Sequence, residues 1–214
     1  MNKEEKDTRS KILDVAQKLF AKKGFDGTSV REIAKEADVN VAAINYHFKH
    51  KSALYWEVHF NSHIWLEEGI ASINNNEMSV ADLSWRLYEF FIEEGSSLKN
   101  AFMMFLSDST PDIDPEMVEQ MMNMKEDFGP PGGQYLLAAV NRELGEDIPL
   151  QGRQWAVKSI FSVVMHWALV MSTSHCQEIY KDHPDFQIEN KKKFIKSHVE
   201  ATLQYLKNNP EIWT

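Results

Sequence analysis

The stretch that most constrains this chain is residues 28–51, TSVREIAKEADVNVAAINYHFKHK. Its apolar positions recur at spacings of three and four rather than two, which predicts short helices and excludes a strand. Val30, Ile33, Ala34 and Ala37 make one buried face, and Val41, Ile44 and Phe48 make a second after a turn at Asp38-Val39. Ser29-Val30-Arg31-Glu32 fits a capping box in which Glu32 reaches back to the cap, and Asn40 is placed to cap the next helix. With three residues turned inward, the second helix presents Ala42, Ala43, Asn45, Tyr46 and His47 to solvent or to a ligand.

The rest of the chain is read around that stretch. A helix over 6–23 carries Ile12, Leu13, Ala16, Leu19 and Phe20 on one stripe, and Gly24 ends it behind Lys22 and Lys23. Helical patterns follow over 51–73, 78–96, 115–128, 135–144, 154–175 and 188–208, with an apolar segment at 98–106 and a polar connection at 177–187. Gly129-Pro130-Pro131-Gly132-Gly133 is a firm break. The expectation is an all-α chain of about nine helices: a three-helix helix-turn-helix domain over 1–55 and a larger helical regulatory and dimerisation domain over 56–214.

Charge separates the two parts. The net charge of −9 argues at first against nucleic acid. Residues 1–55, however, hold 11 Lys/Arg against 8 Asp/Glu, whereas 56–214 hold 12 against 24, so a local +3 faces a local −12. A weakly basic head on an acidic body suits a protein that meets phosphate at one end only. The polar start MNKEEKDTRSK lacks the apolar segment of a secretory signal. The most apolar run, 160–171, is short of the roughly 20 residues that span a bilayer. A single cysteine, Cys176, fits a reducing compartment. A cytoplasmic location with no membrane partner is therefore expected.

Helix-turn-helix units place their second helix in the DNA major groove, with its N-terminal part at the base edges. Ala42 and Ala43 are small enough for close approach, and Asn45 is suited to adenine or to phosphate. Tyr46, His47 and Lys51 are natural phosphate partners, and Arg31 reaches from the preceding helix to guanine or the backbone. Thr28, Ser29 and Asn40 stand where free helix N–H groups meet phosphates, and Val41 stands at the entry to the groove.

At this point the residues resemble a known family. Gly24-Phe25, Thr28 to Ala34, Val39 to Phe48 and Lys51 to Tyr55, in order over about residues 8–60, look like the TetR family of bacterial transcriptional regulators. The Ala-Ala-Ile-Asn-Tyr-His-Phe form is similar to one subset of it. The family's usual Leu-Tyr before the aromatic-His pair is here Ile44-Asn45, which puts an amide where an aromatic phosphate contact is expected. The resemblance implies a homodimeric repressor on a palindromic double-stranded operator, released when a small molecule in the C-terminal domain favours a different spacing of the two heads. In that scheme the helix over 52–73 carries the shift.

The body is less specific. The helix over 154–175 is apolar on several faces and, with 188–208, is the candidate dimer interface. Trp85, Phe102, Met121, Tyr135 and His166 are candidates for lining an effector cavity, against the plainer reading that they pack a core. His59 and His63 have the i, i+4 spacing of a metal pair, but no third ligand stands at matching spacing, so neither a metal nor a cofactor is assigned. Cys176 beside His175 is a redox candidate whose plain reading is inert. No phosphate loop, nucleophile elbow or zinc-protease motif occurs, so an enzyme is not expected. The alternatives are a DNA-binding regulator without an inducer, or a helical enzyme or carrier with a vestigial head.

Overall fold

The computed structural model describes residues 3–113 and 130–213. The described residues are helical and contain no strand. Ten α-helices are present among them, where the sequence pattern predicts eight over the same residues: α1 Lys3–Lys23, α2 Val30–Glu36, α3 Val41–Phe48, α4 Lys51–Ile73, α5 Val80–Glu93, α6 Gly95–Phe105, α7 Gly133–Leu144, α8 Leu150–Met171, α9 Ser174–Tyr180 and α10 Ile188–Asn208. Short 3-10 turns lie at Pro184–Phe186 and Pro210–Trp213. The expected helix over 115–128 and its Met117, Met121, Met122 and Met124 lie outside the described residues, apart from which the chain forms two compact units. One comprises residues 3–65 with 97–113, the other 66–96 with 130–213.

In the first unit, Ile12, Ala16 and Phe20 are fully buried on α1 and meet Ile33, Ala34 and Ala37 of the α2 segment, Ile44 and Phe48 of α3, and Leu54, Tyr55 and Val58 of α4. Met104 of α6 completes that core. Phe20, Phe25 and Tyr55 form an aromatic cluster, with Tyr55 edge-on to both phenylalanines at 5.1 and 5.5 Å. Such edge contacts add about 0.5–1.5 kcal/mol to the burial of each ring. The Tyr55 hydroxyl donates to the Met104 carbonyl at 3.3 Å, and burial raises its pKa.

The turns of this unit have local causes. Gly24 sits at φ +71°, and its N–H returns to the Phe20 carbonyl at 2.9 Å, closing α1. A Cβ there would also lie 3.2 Å from the Ser109 Cβ. The loop after α6 clamps this turn: Phe25 N–H donates to Ser109 O at 3.2 Å, and Asp26 N–H to Ser109 Oγ at 2.8 Å. Trp56 Nε1 adds a bond to Asp112 O at 3.2 Å. The head is thus closed by residues some eighty positions further along the chain.

In the second unit α8 packs against α5, α7 and α10. Its inward residues include Ala156, Ile160, Val164 and Ala168, all completely buried. The beginning of α5 is held from α7, where Glu143 Oε1 accepts the Val80 N–H at 2.6 Å and Arg142 donates to the Met78 carbonyl at 2.8 Å. A Cβ at Gly69 would fall 2.2 Å from the Phe90 ring, so α4 and α5 approach more closely there than any larger residue permits. The predicted long helix over 154–175 ends earlier. Ser172 and Thr173 turn their hydroxyls back to the Leu169 and Val170 carbonyls, each at 2.8 Å, and Thr173 then caps α9. The polar connection at 177–187 is accordingly part helix, part 3-10 turn. Among the described residues no single helix is long and apolar enough to cross a membrane. α8 and α9 meet that test only as a pair, bent by 83°.

Candidate nucleic-acid interface

The two short helices of the head are set by their ends. Ser29 Oγ accepts the Glu32 N–H at 3.1 Å and caps α2, but the reciprocal half of the expected capping box is absent. The Glu32 carboxylate instead pairs with Lys23 at the end of α1. α2 closes with Asp38 at φ 52°, its N–H on the Lys35 carbonyl and the Val39 N–H on the Ala34 carbonyl, the paired bonds of a Schellman motif. Asn40 Oδ1 then accepts the Ala43 N–H at 2.7 Å and starts α3. Each end is specified within a few residues, so the angle between the helices follows from local chemistry.

α3 is anchored by Ile44 and Phe48, 1% and 3% exposed. Ala42, Asn45 and Tyr46 face outward, Tyr46 at 74% exposure, and Ala43 and His47 are half-buried beside them. The His47 ring lies edge-on to Tyr46 at 5.1 Å and tilted against Phe48 at 6.0 Å, so the imidazole bridges the outer surface and the anchor. Val41 departs from the expected inward set: at 37% exposure it stands at the open start of the helix with Ala42. Arg31 is exposed on α2.

Two sequence candidates turn inward. Thr28 is 2% exposed, with Oγ1 on the Gly24 carbonyl at 2.8 Å and the Leu19 carbonyl at 3.2 Å. Its N–H also donates to Phe25 O, so both of its donors serve the turn and leave none for phosphate. Lys51 Nζ donates to the Phe25 and Thr28 carbonyls at 2.9 and 3.0 Å and lies 4.0 Å from the centre of the Phe25 ring. The ammonium ties the α1–α2 turn to α4, because those carbonyls and the ring face satisfy it better than open solvent does.

Sequence reasoning missed Lys49 and His50, which continue the exposed edge beyond α3. Lys49 has φ 61° and ψ −56°, and the His50 N–H meets the Phe48 carbonyl at 2.6 Å, the geometry of the rare positive-φ γ-turn. His50 Nδ1 accepts the Ala53 N–H at 3.1 Å and so caps α4. The readable signal was a basic residue directly after α3; the strain was not readable.

The candidates for an effector cavity are split between the units. Trp85 is buried on α5, stacked on Tyr88 at 5.1 Å, with Lys192 Nζ 5.4 Å from its ring centre. Burial pushes the Tyr88 pKa up to about 12. Tyr135 is half-buried on α7 and His166 is exposed on α8. Phe102 belongs to the first unit, 6.2 Å from Phe105. Cys176 is half-buried at the start of α9. Among the described residues no three His, Cys, Asp or Glu side chains form a metal-sized group, and that includes the surroundings of His59 and His63.

A capped pair of short helices, the second anchored by two residues and open along its other side, defines a helix-turn-helix protein. Residues 12–58 match the family model for bacterial regulatory proteins of the tetR family. The probable HTH-type transcriptional regulator YttP of Bacillus subtilis is 64% identical over 47 residues, covering 22% of this chain and 23% of that protein. The biofilm operon icaADBC HTH-type negative transcriptional regulator IcaR of Staphylococcus aureus is 31% identical over 91 residues, 40% of this chain and 46% of that protein. The chain thus spans less than half the length of these relatives, which are regulators by name rather than enzymes. A TetR-like transcriptional regulator from Rhodococcus sp. RHA1 has the same fold, with a TM-score of 0.63 over 92% of this chain and 96% of that one at 13% identity. The all-helical plan of an N-terminal helix-turn-helix domain and a helical C-terminal domain therefore extends along the chain.

Proposed function

We propose that this chain is a sequence-specific DNA-binding transcriptional regulator that represses as a homodimer and releases a palindromic operator when a small molecule binds its C-terminal domain. The observation that carries the DNA-binding part is the display on α3: Ala42, Asn45 and Tyr46 outward, Ile44 and Phe48 locked beneath. Ala42, Ala43 and Asn45 are assigned to base edges. Tyr46, His47, Arg31 and the caps Ser29 and Asn40 are assigned to phosphates, with Val41 at the entry to the groove. Repression is supported by the name of IcaR, a negative regulator.

Homodimerisation is supported by what α8 and α10 leave uncovered. Phe194 and Tyr205 of α10 are 47% and 44% exposed, and Trp155 and Trp167 of α8 are only half-buried although they pack against them. A second copy laid on the same two helices covers these rings. The functional division falls near residue 55, between a reading head over 1–55 and a regulatory and dimerisation part over 56–214. The effector is a small molecule whose chemistry the split candidates leave open, and the setting is the cytoplasm.

Selection of binding sites from random-sequence DNA by the full-length protein tests this reading. It expects a symmetric site bound at about 10⁻⁸ M or tighter. Asn45→Ala should lose about 1–3 kcal/mol of discrimination at one symmetric position, whereas Tyr46→Ala should weaken all sequences alike. No symmetric site, or identical site preference and affinity in both variants, overturns it.

A further inference from the structure

The seam between α1 and α4 is closed by Ile12, Ala16 and Phe20 near Leu54, Tyr55 and Val58, and opens further along α4. There Asp14 and Gln17 of α1 face Asn61, Ser62 and Trp65 of α4, with Ser97 of α6 at one side, around a cleft of 310 Å³ open to solvent. That volume is at the lower end of the range of small-molecule sites, about 300–1,000 Å³.

We propose that this cleft binds a small organic amine in its protonated form. Among the described residues its wall contains one carboxylate, Asp14, and no lysine, arginine or histidine. Gln17 Nε2 donates to Ser62 Oγ at 2.9 Å, and Ser62 Oγ donates to the Val58 carbonyl at 2.8 Å. That chain of bonds engages the Gln17 amide N–H and the Ser62 hydroxyl donor inside the protein, and Asp14 is the charged acceptor among the lining residues. Trp65, with Leu13 and Val58, adds apolar surface to the wall. A carboxylate beside an apolar wall, with no cation among the described lining residues, selects an ammonium carrying one apolar group. An amine seated there touches α1 and α4 together, the helix that carries the head core and the helix that leads out of it.

The proposal rests on the packing of the first unit and not on the DNA-binding reading, so it is tested without DNA. Calorimetric titration of the full-length protein with phenethylammonium at neutral pH should give saturable one-to-one binding, and 2-phenylethanol, nearly the same shape without the charge, should bind at least about threefold more weakly. Asp14 and Asn61 are exposed, so both substitutions spare the core. Asp14→Asn should weaken the amine by about threefold or more and leave the alcohol unchanged. Asn61→Trp, which fills the mouth, should abolish binding of both. Equal affinity for amine and alcohol, indifference to both substitutions, or no saturable heat at millimolar phenethylammonium overturns it.

Discussion

The two compact units solve the same problem, ending helices and joining them, by different means. In the head, α2 has seven residues and α3 eight, too short to be stable alone. Their ends are fixed by neighbours in sequence: Ser29, Asn40, the Schellman pair at Asp38-Val39 and the turn at Lys49. In the body, helices of up to 22 residues are tied by groups distant in sequence. Glu143 and Arg142 hold the start of α5, and Lys196 pairs with Asp82 at 2.6 Å, drawing that carboxyl below its usual pKa. A reading surface needs one fixed display, and local caps supply it cheaply. The body is held instead by packing between long helices. The head has two departures from this pattern, the Ser107–Ser109 loop and Lys51, both of which reach its first turn from outside the helix-turn-helix.

The comparison is broken most sharply at Lys51. Lys51→Met removes two charged hydrogen bonds and a cation–π contact and should lower the stability of the head by about 2 kcal/mol. The slope of log affinity against log salt for DNA should stay unchanged, because the ammonium is spent on carbonyls. A slope shallower by about 0.9 instead makes Lys51 a phosphate contact. A smaller effect of opposite sign is expected at Lys49. Lys49→Gly relieves the positive φ and should raise stability by about 1 kcal/mol, whereas Lys49→Ala, which keeps the Cβ, should not. Equal melting temperatures for these two variants remove the strain from the account.

The smallest effect lies in the body. His198 of α10, 3.5 Å from Ser159 of α8, has its pKa lowered from 6.5 by burial. The folded state therefore binds a proton less readily than the unfolded chain, and stability declines as pH falls below 6.5, with the loss complete once pH is below the folded value. Melting curves on either side of pH 6.5 should show this decline, and His198→Gln should flatten it; an unchanged slope assigns the acid sensitivity elsewhere.

Most of the head was legible because its signals are local. Periodicity placed α1 to α3, Gly24 and Asn40 marked their ends, and Ile44 and Phe48 were correctly read as anchors. Val41, read both as holding the helix and as the entry to the groove, stands exposed, whereas Thr28 and Lys51 turn inward: whether a side chain at a helix start faces in or out depends on which carbonyls and rings stand opposite, and for Lys51 these lie more than twenty positions away in the chain. In the body, periodicity found the long helices. It missed the bend at Ser172-Thr173, where two hydroxyls satisfy the last carbonyls of an otherwise apolar run.

Residues 28–51 by themselves determined two capped helices and the face that one of them shows, since capping, turn chemistry and a 3.6-residue period act over a few positions. Only the tertiary structure decided that the head is finished by Met104 and Ser109, that Lys51 faces inward, and that α1 and α4 part around a polar cleft. These depend on which surfaces meet across long stretches of chain, and a local pattern carries no record of that.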